Sequence, residues 1–300
     1  MEHKKALTGR RIGVFGKGGS GKSTALVLLA MALRDSGYEV CVVDADSTNV
    51  GLHQALGMET APTQLLDYFG GVVFSGGSVT CPVDDPTPLP GADISLDQLP
   101  DRHYSQNDGG ILLLTAGKIG DQGPGAGCDG PVSKIARDLR IHQNGETPVT
   151  LVDFKAGFED SARGAVTGLD WALVVVDPTT AAIQMAANMR DMVNQIKAGG
   201  LPATKHLETP DLVEWANRIF REATIKGVLV ILNRVRDEEM EGYMREKLAE
   251  QGIEAIGVIH EDPAIAMSWL KGMPMEAANA KSDVERIVEK LERAEEKSLG

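Results

Sequence analysis

Cysteine, positive charge and long hydrophobic runs are all in short supply in this chain. Three cysteines in 300 residues cannot make a disulfide framework, and an odd count suits a reducing cytoplasm better than secretion. Basic residues number 30 against 43 acidic ones, for a net charge of −13. That balance argues against a domain whose main task is neutralising nucleic-acid phosphates. The longest apolar run, Ala25 to Leu33, is about half of what a bilayer requires. Met1 to Arg10 carries lysines with no apolar stretch behind them, unlike a signal peptide. A soluble cytoplasmic protein is expected, with no nucleic-acid and no membrane partner.

What is present is a globular composition, 42% apolar, in a chain long enough to bury a sizeable core without metals or disulfides. Short runs of Val, Ile and Leu alternate with longer helical patterns, the sequence form of an α/β fold whose parallel sheet is covered on both faces. Seven strands are expected, at 11–15, 40–44, 111–116, 149–153, 172–177, 228–233 and 255–259. Asp262-Pro263 has the form of an N-cap followed by Pro at the first helical position, with Gly272 as terminator. Ser282 and Glu285 match a capping box for the last helix. From about Gly57 to Gly110 the alternation lapses into Gly, Pro, Asp and Thr, too long for an ordinary connection. The expectation is one domain over 1–300 with an irregular insertion at 57–110.

The first strand runs into Gly16-Lys17-Gly18-Gly19-Ser20-Gly21-Lys22-Ser23-Thr24 and then an apolar helix. Strand, glycine loop and helix N-terminus in that order make a phosphate site. Glycines let the backbone wrap a phosphate chain with N–H groups inward, and the helix end adds positive partial charge. Gly18, Gly19, Ser20, Gly21, Lys22, Ser23 and Thr24 are the candidate nucleotide contacts. Lys22 is placed to reach the β- and γ-phosphates, and the Ser23 hydroxyl to join a Mg²⁺ shell.

The second lysine, in Lys17-Gly-Gly-Ser-Gly-Lys22-Ser23, resembles the deviant Walker A loop of the MinD/ParA/nitrogenase-iron-protein class of P-loop ATPases. The resemblance implies ATP and Mg²⁺ as ligands and a homodimer enclosing the nucleotide, with Lys17 crossing to the partner's ATP. Val42-Val43-Asp44-Ala45-Asp46 puts carboxylates at a strand end beside the loop. In the family the second Asp positions the attacking water, which gives that role to Asp46 and leaves Asp44 to organise Mg²⁺ and its waters. Asp153, followed by Phe-Lys-Ala-Gly157, is similar to a Walker B strand and switch: Asp153 for Mg²⁺, the Gly157 amide for the γ-phosphate. Asn233 matches the family's adenine-reading Asn, an ordinary strand-end Asn being the alternative. His260-Glu261-Asp262-Pro263 falls where the class contacts base or partner.

Asp153 to Gly164, Val175-Val-Asp177-Pro178, Leu99-Pro100, Gly117-Lys118-Ile119 and Gly127-Cys128-Asp129-Gly130-Pro131 resemble the CooC-type carbon monoxide dehydrogenase accessory ATPases. Those proteins couple ATP-driven dimerisation to nickel insertion in a client enzyme, and carry a Cys-x-Cys-Pro motif. Here Cys128 keeps the first cysteine and Gly130 stands where the second would be. Cys128 is the candidate ligand for Zn or Ni at a dimer axis, with Asp129 or Cys81 to complete the site; a small buried residue is the other reading. Cys41, inside a strand, reads as core.

The implied function is an ATP-hydrolysing dimeric switch that serves maturation of a client metalloenzyme, possible clients including a nickel enzyme. Two alternatives stand beside it: a positional or partition ATPase of MinD/ParA type, and an Fe–S electron donor related to the nitrogenase iron protein. Against the first stand the acidic balance and a last helix without a basic lipid-facing side. Against the second, 154–168 contains no further cysteine.

Overall fold

The computed structural model describes residues 5–73, 76–118, 129–162, 164–277 and 279–299. In chain order the elements are β1 (Arg11–Gly16), α1 (Lys22–Asp35), β2 (Val40–Ala45), α2 (Leu52–Ala55), α3 (Leu65–Tyr68), β3 (Asp93–Ser95), β4 (Ser105–Gln106) and β5 (Leu112–Thr115). There follow α4 (Gly130–Asp138), β6 (Arg140–His142), β7 (Val149–Phe154), α5 (Glu159–Ala162), β8 (Trp171–Val176), α6 (Thr180–Lys197) and α7 (Pro210–Arg221). The last are β9 (Gly227–Val235), α8 (Glu238–Glu250), β10 (Ala255–His260), α9 (Pro263–Lys271) and α10 (Ala280–Leu299).

The main sheet has eight strands in the order β10-β9-β8-β1-β7-β2-β5-β4. All seven expected strands are in it, and every pairing is parallel except β4 against β5. The eighth strand comes from the irregular 57–110 segment, whose β4 lies along an edge. Its β3 pairs in parallel with β6 in a separate two-stranded sheet. Turn-rich composition hid both, because strands this short carry no periodicity to read. The segment also buries Leu65, Leu66, Val79, Ile94 and Leu99 in the core.

Strands β1, β2, β7 and β8 are buried along their whole length, as helices on both faces require. Their side chains divide by parity. Phe15, Val43, Val152 and Val174 pack toward α4 and α6, whereas Ile12, Val14, Val42, Leu151 and Leu173 pack toward α1 and α10. Two apolar layers result, one on each face. Helix α1, lying between sheet and α10, is accordingly apolar nearly all round.

Helix ends show where local signals held. Asp262 caps α9 by accepting from the Ala264 amide at 3.0 Å, with Pro263 at the first position and Gly272 left-handed at the end. The capping box on α10 is a different matter. That helix begins at Ala280, so Ser282 lies inside its first turn. Its cap comes from outside: the other oxygen of Asp262 accepts from the Asn279 and Ala280 amides at 2.8 and 3.3 Å. One carboxylate starts two helices, so a local motif reader, taking Ser282 as the cap, places the start three residues late. At the other end of α10, buried Glu295 accepts from Trp171 Nε1 at 2.8 Å and pairs with Arg10 and Lys226.

Candidate functional site

Parallel pairing in register brings the candidate residues together. β1 lies between β7 and β8, and β7 lies between β1 and β2, with Asp44 directly opposite Asp153. The C-terminal ends of three adjacent strands therefore present the glycine loop, Asp153 and Asp44 at one edge, where open α/β sheets hold ligands.

The loop is built by backbone that tolerates nothing larger than glycine at two points. A Cβ on Gly16 would lie 2.5 Å from Ser20 Oγ, and one on Gly21 would lie 2.2 Å from Asn233 Nδ2. Gly21 also has φ +86° where it precedes α1, a conformation open to glycine at little cost. Asn233 Nδ2 donates to the Ser20 carbonyl at 2.7 Å and ties β9 to the loop. Lys22 is buried, whereas Lys17, Gly18 and Gly19 are exposed at the rim. The hydroxyl of Ser20 is buried without a hydrogen-bond partner among the described residues.

Ser23 Oγ donates to Asp153 Oδ2 at 2.7 Å, and Asn49 Nδ2 approaches the same two oxygens at 3.1 and 3.3 Å. Asp153 Oδ1 is buried and unpartnered among the described residues. An orphaned carboxylate oxygen beside a serine hydroxyl is a donor set suited to a hard divalent cation, so the residues fit Mg²⁺. Burial raises the pKa of Asp153 against the opposing charge of Lys22. Burial likewise pushes Asp44 up to about 7, opposed by Lys118 and reinforced by Asp153. Carboxylates crowded out of water gain from any cation that joins them.

Asp46 is buried, and its Oδ1 accepts from both the amide and the hydroxyl of Thr48, at 3.0 and 2.7 Å. The amide of Gly157 reaches the loop but is engaged there, donating to the Gly16 carbonyl at 3.1 Å. Contact with a γ-phosphate would have to replace that bond. Thr24 Oγ1 accepts from Trp269 Nε1 at 2.9 Å, which fixes α9 against the start of α1. Between them, a cavity of about 590 Å³ is lined by Thr24, Asn233, Pro263, Ile265 and Trp269 among others. It continues the line of the phosphate loop, and Asn233 and His260-Glu261-Asp262-Pro263 both reach it.

The sequence model matching residues 14–275 is the CobQ/CobB/MinD/ParA nucleotide binding domain. The chain belongs to that family. Among relatives, an uncharacterized ATP-binding protein of Methanocaldococcus jannaschii is 33% identical over 184 residues, covering 61% of this chain and 72% of the relative. The carbon monoxide dehydrogenase accessory protein CooC of Rhodospirillum rubrum is 28% identical over 200 residues, 62% of this chain and 70% of its own. The MinD cell division protein of Aquifex aeolicus has the same fold, with a TM-score of 0.57 at 20% identity over 94% of this chain and 96% of that one. MinD/ParA-family proteins are ATPases, so nucleotide and Mg²⁺ use come with membership, and dimerisation is typical of them.

Two residues take parts in this site that the sequence did not assign them: Lys118 had no role, and Asp129 was only a candidate to complete a metal site with Cys128. Lys118 Nζ bridges Asp44 Oδ2 and the Asp46 carbonyl, each at 2.6 Å. Asp129 accepts from Ser47 Oγ at 2.6 Å and from Lys155 Nζ, joining the segments that follow β2 and β7. A lysine at a strand end beside strand-end aspartates was the available signal for Lys118. Nothing local signalled that Asp129 would bridge Ser47 and Lys155, since those partners lie 82 and 26 residues away.

Cys128 falls outside the described residues, and so does most of the segment before it. Among the described residues no group of three or more His, Cys, Asp or Glu is arranged to hold a metal. Gly130 has a steric reason for being glycine: a Cβ there would lie 2.3 Å from Cys81 Sγ. The thiol of Cys81, from another segment, takes the space that a side chain at 130 would need. Cys41 is fully buried in β2, and burial pushes its thiol up to about 12, as befits a core residue.

Proposed function

We propose that this protein hydrolyses ATP with Mg²⁺ and uses the cycle, as a homodimer, to serve the maturation of a client metalloenzyme. The orphaned Asp153 oxygen beside the Ser23 hydroxyl, at the mouth of the phosphate loop, carries the hydrolytic part. Ser23 and Asp153, with Asp44 nearby, would hold Mg²⁺, which when bound supplies charge neutralisation at the β- and γ-phosphates. Lys22 and the loop amides bind the phosphates. Asp46 orients the attacking water, its own carboxylate fixed by Thr48. Gly157 exchanges its bond to Gly16 for one to the γ-phosphate, which makes the segment after β7 sensitive to nucleotide state. Lys17, exposed at the rim, crosses to the nucleotide of the second copy.

The maturation role rests on similarity to CooC. Cys81 lies against Gly130, and a soft cation such as Ni²⁺ or Zn²⁺ would be the cargo that thiolates favour. The apolar stripe of α10 argues against the positional alternative: Val284, Ile287, Val288 and Leu291 are all buried in the core and are not available to a lipid surface.

The test is Ni²⁺ and Zn²⁺ titration of the ATP-bound protein, with Cys81→Ser and Cys128→Ser alongside. Loss of bound metal in both variants is expected, and equal stoichiometry in all three proteins would remove the thiols as ligands. ATP-dependent sedimentation with anionic vesicles would instead favour the positional reading.

A further inference from the structure

Helix α7 is amphipathic but poorly covered. Leu212, Val213, Ala216, Ile219 and Phe220 share one face at helical spacing, yet only Ala216 of this helix is buried. Against that face lies a cavity of about 360 Å³, a size that small-molecule sites commonly have. None of the residues placed in the nucleotide site lines it. Its apolar walls come from four segments: Pro82 and Pro86 ahead of β3, Met192 of α6, Leu207 ahead of α7, and Ile219 and Phe220 of α7 itself.

The polar part of the wall is small and of one kind. Arg137 and His206 line the cavity, and no acidic side chain does among the described residues. Arg137 is buried and donates through Nε and Nη2 to Asp138 and to the carbonyls of Pro86 and Thr87. Its Nη1 is left uncommitted among the described residues. Ser161, also in the wall, is 2% exposed, and its hydroxyl has no hydrogen-bond partner among the described residues. A buried hydroxyl left unpaired is costly and calls for a partner. An apolar chamber with positive charge and spare donors in its wall suits an apolar body that ends in a carboxylate.

We propose that this cavity binds a small organic acid, its carboxylate taken by Ser161 and Arg137 and its apolar body by α7 and the two prolines. Ser161 stands in α5, four residues past Gly157, and Ser133 of α4 donates to the neighbouring Asp160. An acid held by Ser161 therefore bears on the segment after β7, which links its binding to that of ATP. This link, unlike the site, rests on the reading of Gly157 as the γ-phosphate contact.

The experiment is calorimetric titration with octanoate, and with octanol as its neutral counterpart, of wild type, Ser161→Ala and Ala216→Leu. Wild type is expected to bind octanoate saturably and at least about tenfold tighter than octanol. Ser161→Ala should weaken octanoate about five- to tenfold. Its melting temperature without ligand should be unchanged or higher, since the unpaired hydroxyl is gone, whereas a merely structural serine would lower it. Ala216→Leu fills the chamber from α7 and should abolish binding. Unchanged octanoate affinity in either variant would overturn the proposal, and octanol binding as tightly as octanoate would overturn the assignment to an acid. Saturating ATP with Mg²⁺ should shift octanoate affinity in wild type at least about threefold. No shift, with ATP bound better by wild type than by Lys22→Ala, would overturn the link. ATP bound no better by wild type than by Lys22→Ala would instead remove the reading of the nucleotide site, while the octanoate comparisons still decide the cavity.

Discussion

The side-chain amide of Asn233 donates to the carbonyl of Ser20 across 2.7 Å, joining residues 213 positions apart. This bond sets the back of the phosphate loop and sits where a side chain on Gly21 would have to go. Gly21→Ala therefore meets two obstacles, the contact with Asn233 and a φ of +86°. Isothermal titration should find ATP affinity reduced at least about 100-fold, since displacing the loop costs several times RT. Near-normal binding would show that the loop is free to move away from β9.

Ser23 and Asp153 share a 2.7 Å hydrogen bond while the second Asp153 oxygen has no partner among the described residues. Asp153→Asn keeps the shape and removes the charge. Phosphate release should drop by about 100-fold or more, and ATP affinity should lose its dependence on Mg²⁺. The circular dichroism spectrum should be unaltered. Retained Mg²⁺ dependence would place the cation elsewhere.

Lys17 is exposed at the rim of the loop, so its charge does little for the monomer. Lys17→Ala is expected to bind ATP within about threefold of wild type. On a sizing column with ATP it should elute as a monomer where wild type dimerises. Normal ATP-dependent dimerisation of the variant would end the cross-subunit role.

Gly130 lies against Cys81. Gly130→Ala should cost about 1–3 kcal/mol in urea unfolding through overpacking, and Cys81→Ala in the same chain should restore part of the loss. Additive effects of the two changes would mean that the contact is not what limits position 130.

Glu295 gives a pH signature. Burial alone would raise its pKa, but hydrogen bonds from Lys226 and Trp171 and the charge of Arg10 outweigh that and hold it below the usual value of 4.5. A depressed carboxylate stabilises the fold above its unfolded pKa and loses that contribution as pH falls through the folded one. Thermal unfolding of wild type should therefore weaken below about pH 4.5. Glu295→Gln should be less stable by about 1–3 kcal/mol at pH 7 and show a flatter slope below pH 4.5. An identical slope would exclude Glu295 as its source.

Much of this site could be read from the chain because its signals are local. Seven strands announce themselves as runs of Val, Ile and Leu, since a parallel sheet covered on both faces has no polar side to alternate with. The phosphate loop is contiguous, and its glycines are demanded by backbone geometry within nine residues. Asp44 and Asp153 were found the same way, as the polar ends of apolar strands. Scarce cysteine and scarce positive charge likewise followed from counting alone.

The rest depended on chain segments meeting. β4 and β3 were invisible because strands of two and three residues have no period, and their pairing partners lie elsewhere in the sequence. The capping of α10 was misplaced because Asp262, 18 residues upstream of Ala280, supplies what a local box would have. Lys118 bridging Asp44 and Asp46, Asp129 joining Ser47 to Lys155, and Cys81 filling the space beside Gly130 are all contacts between distant residues. Local sequence determined which backbone could hold a phosphate and which strands would carry carboxylates. Only the tertiary packing decided which side chains would surround them, because hydrogen bonds and steric exclusion act on distance in space and not on distance along the chain.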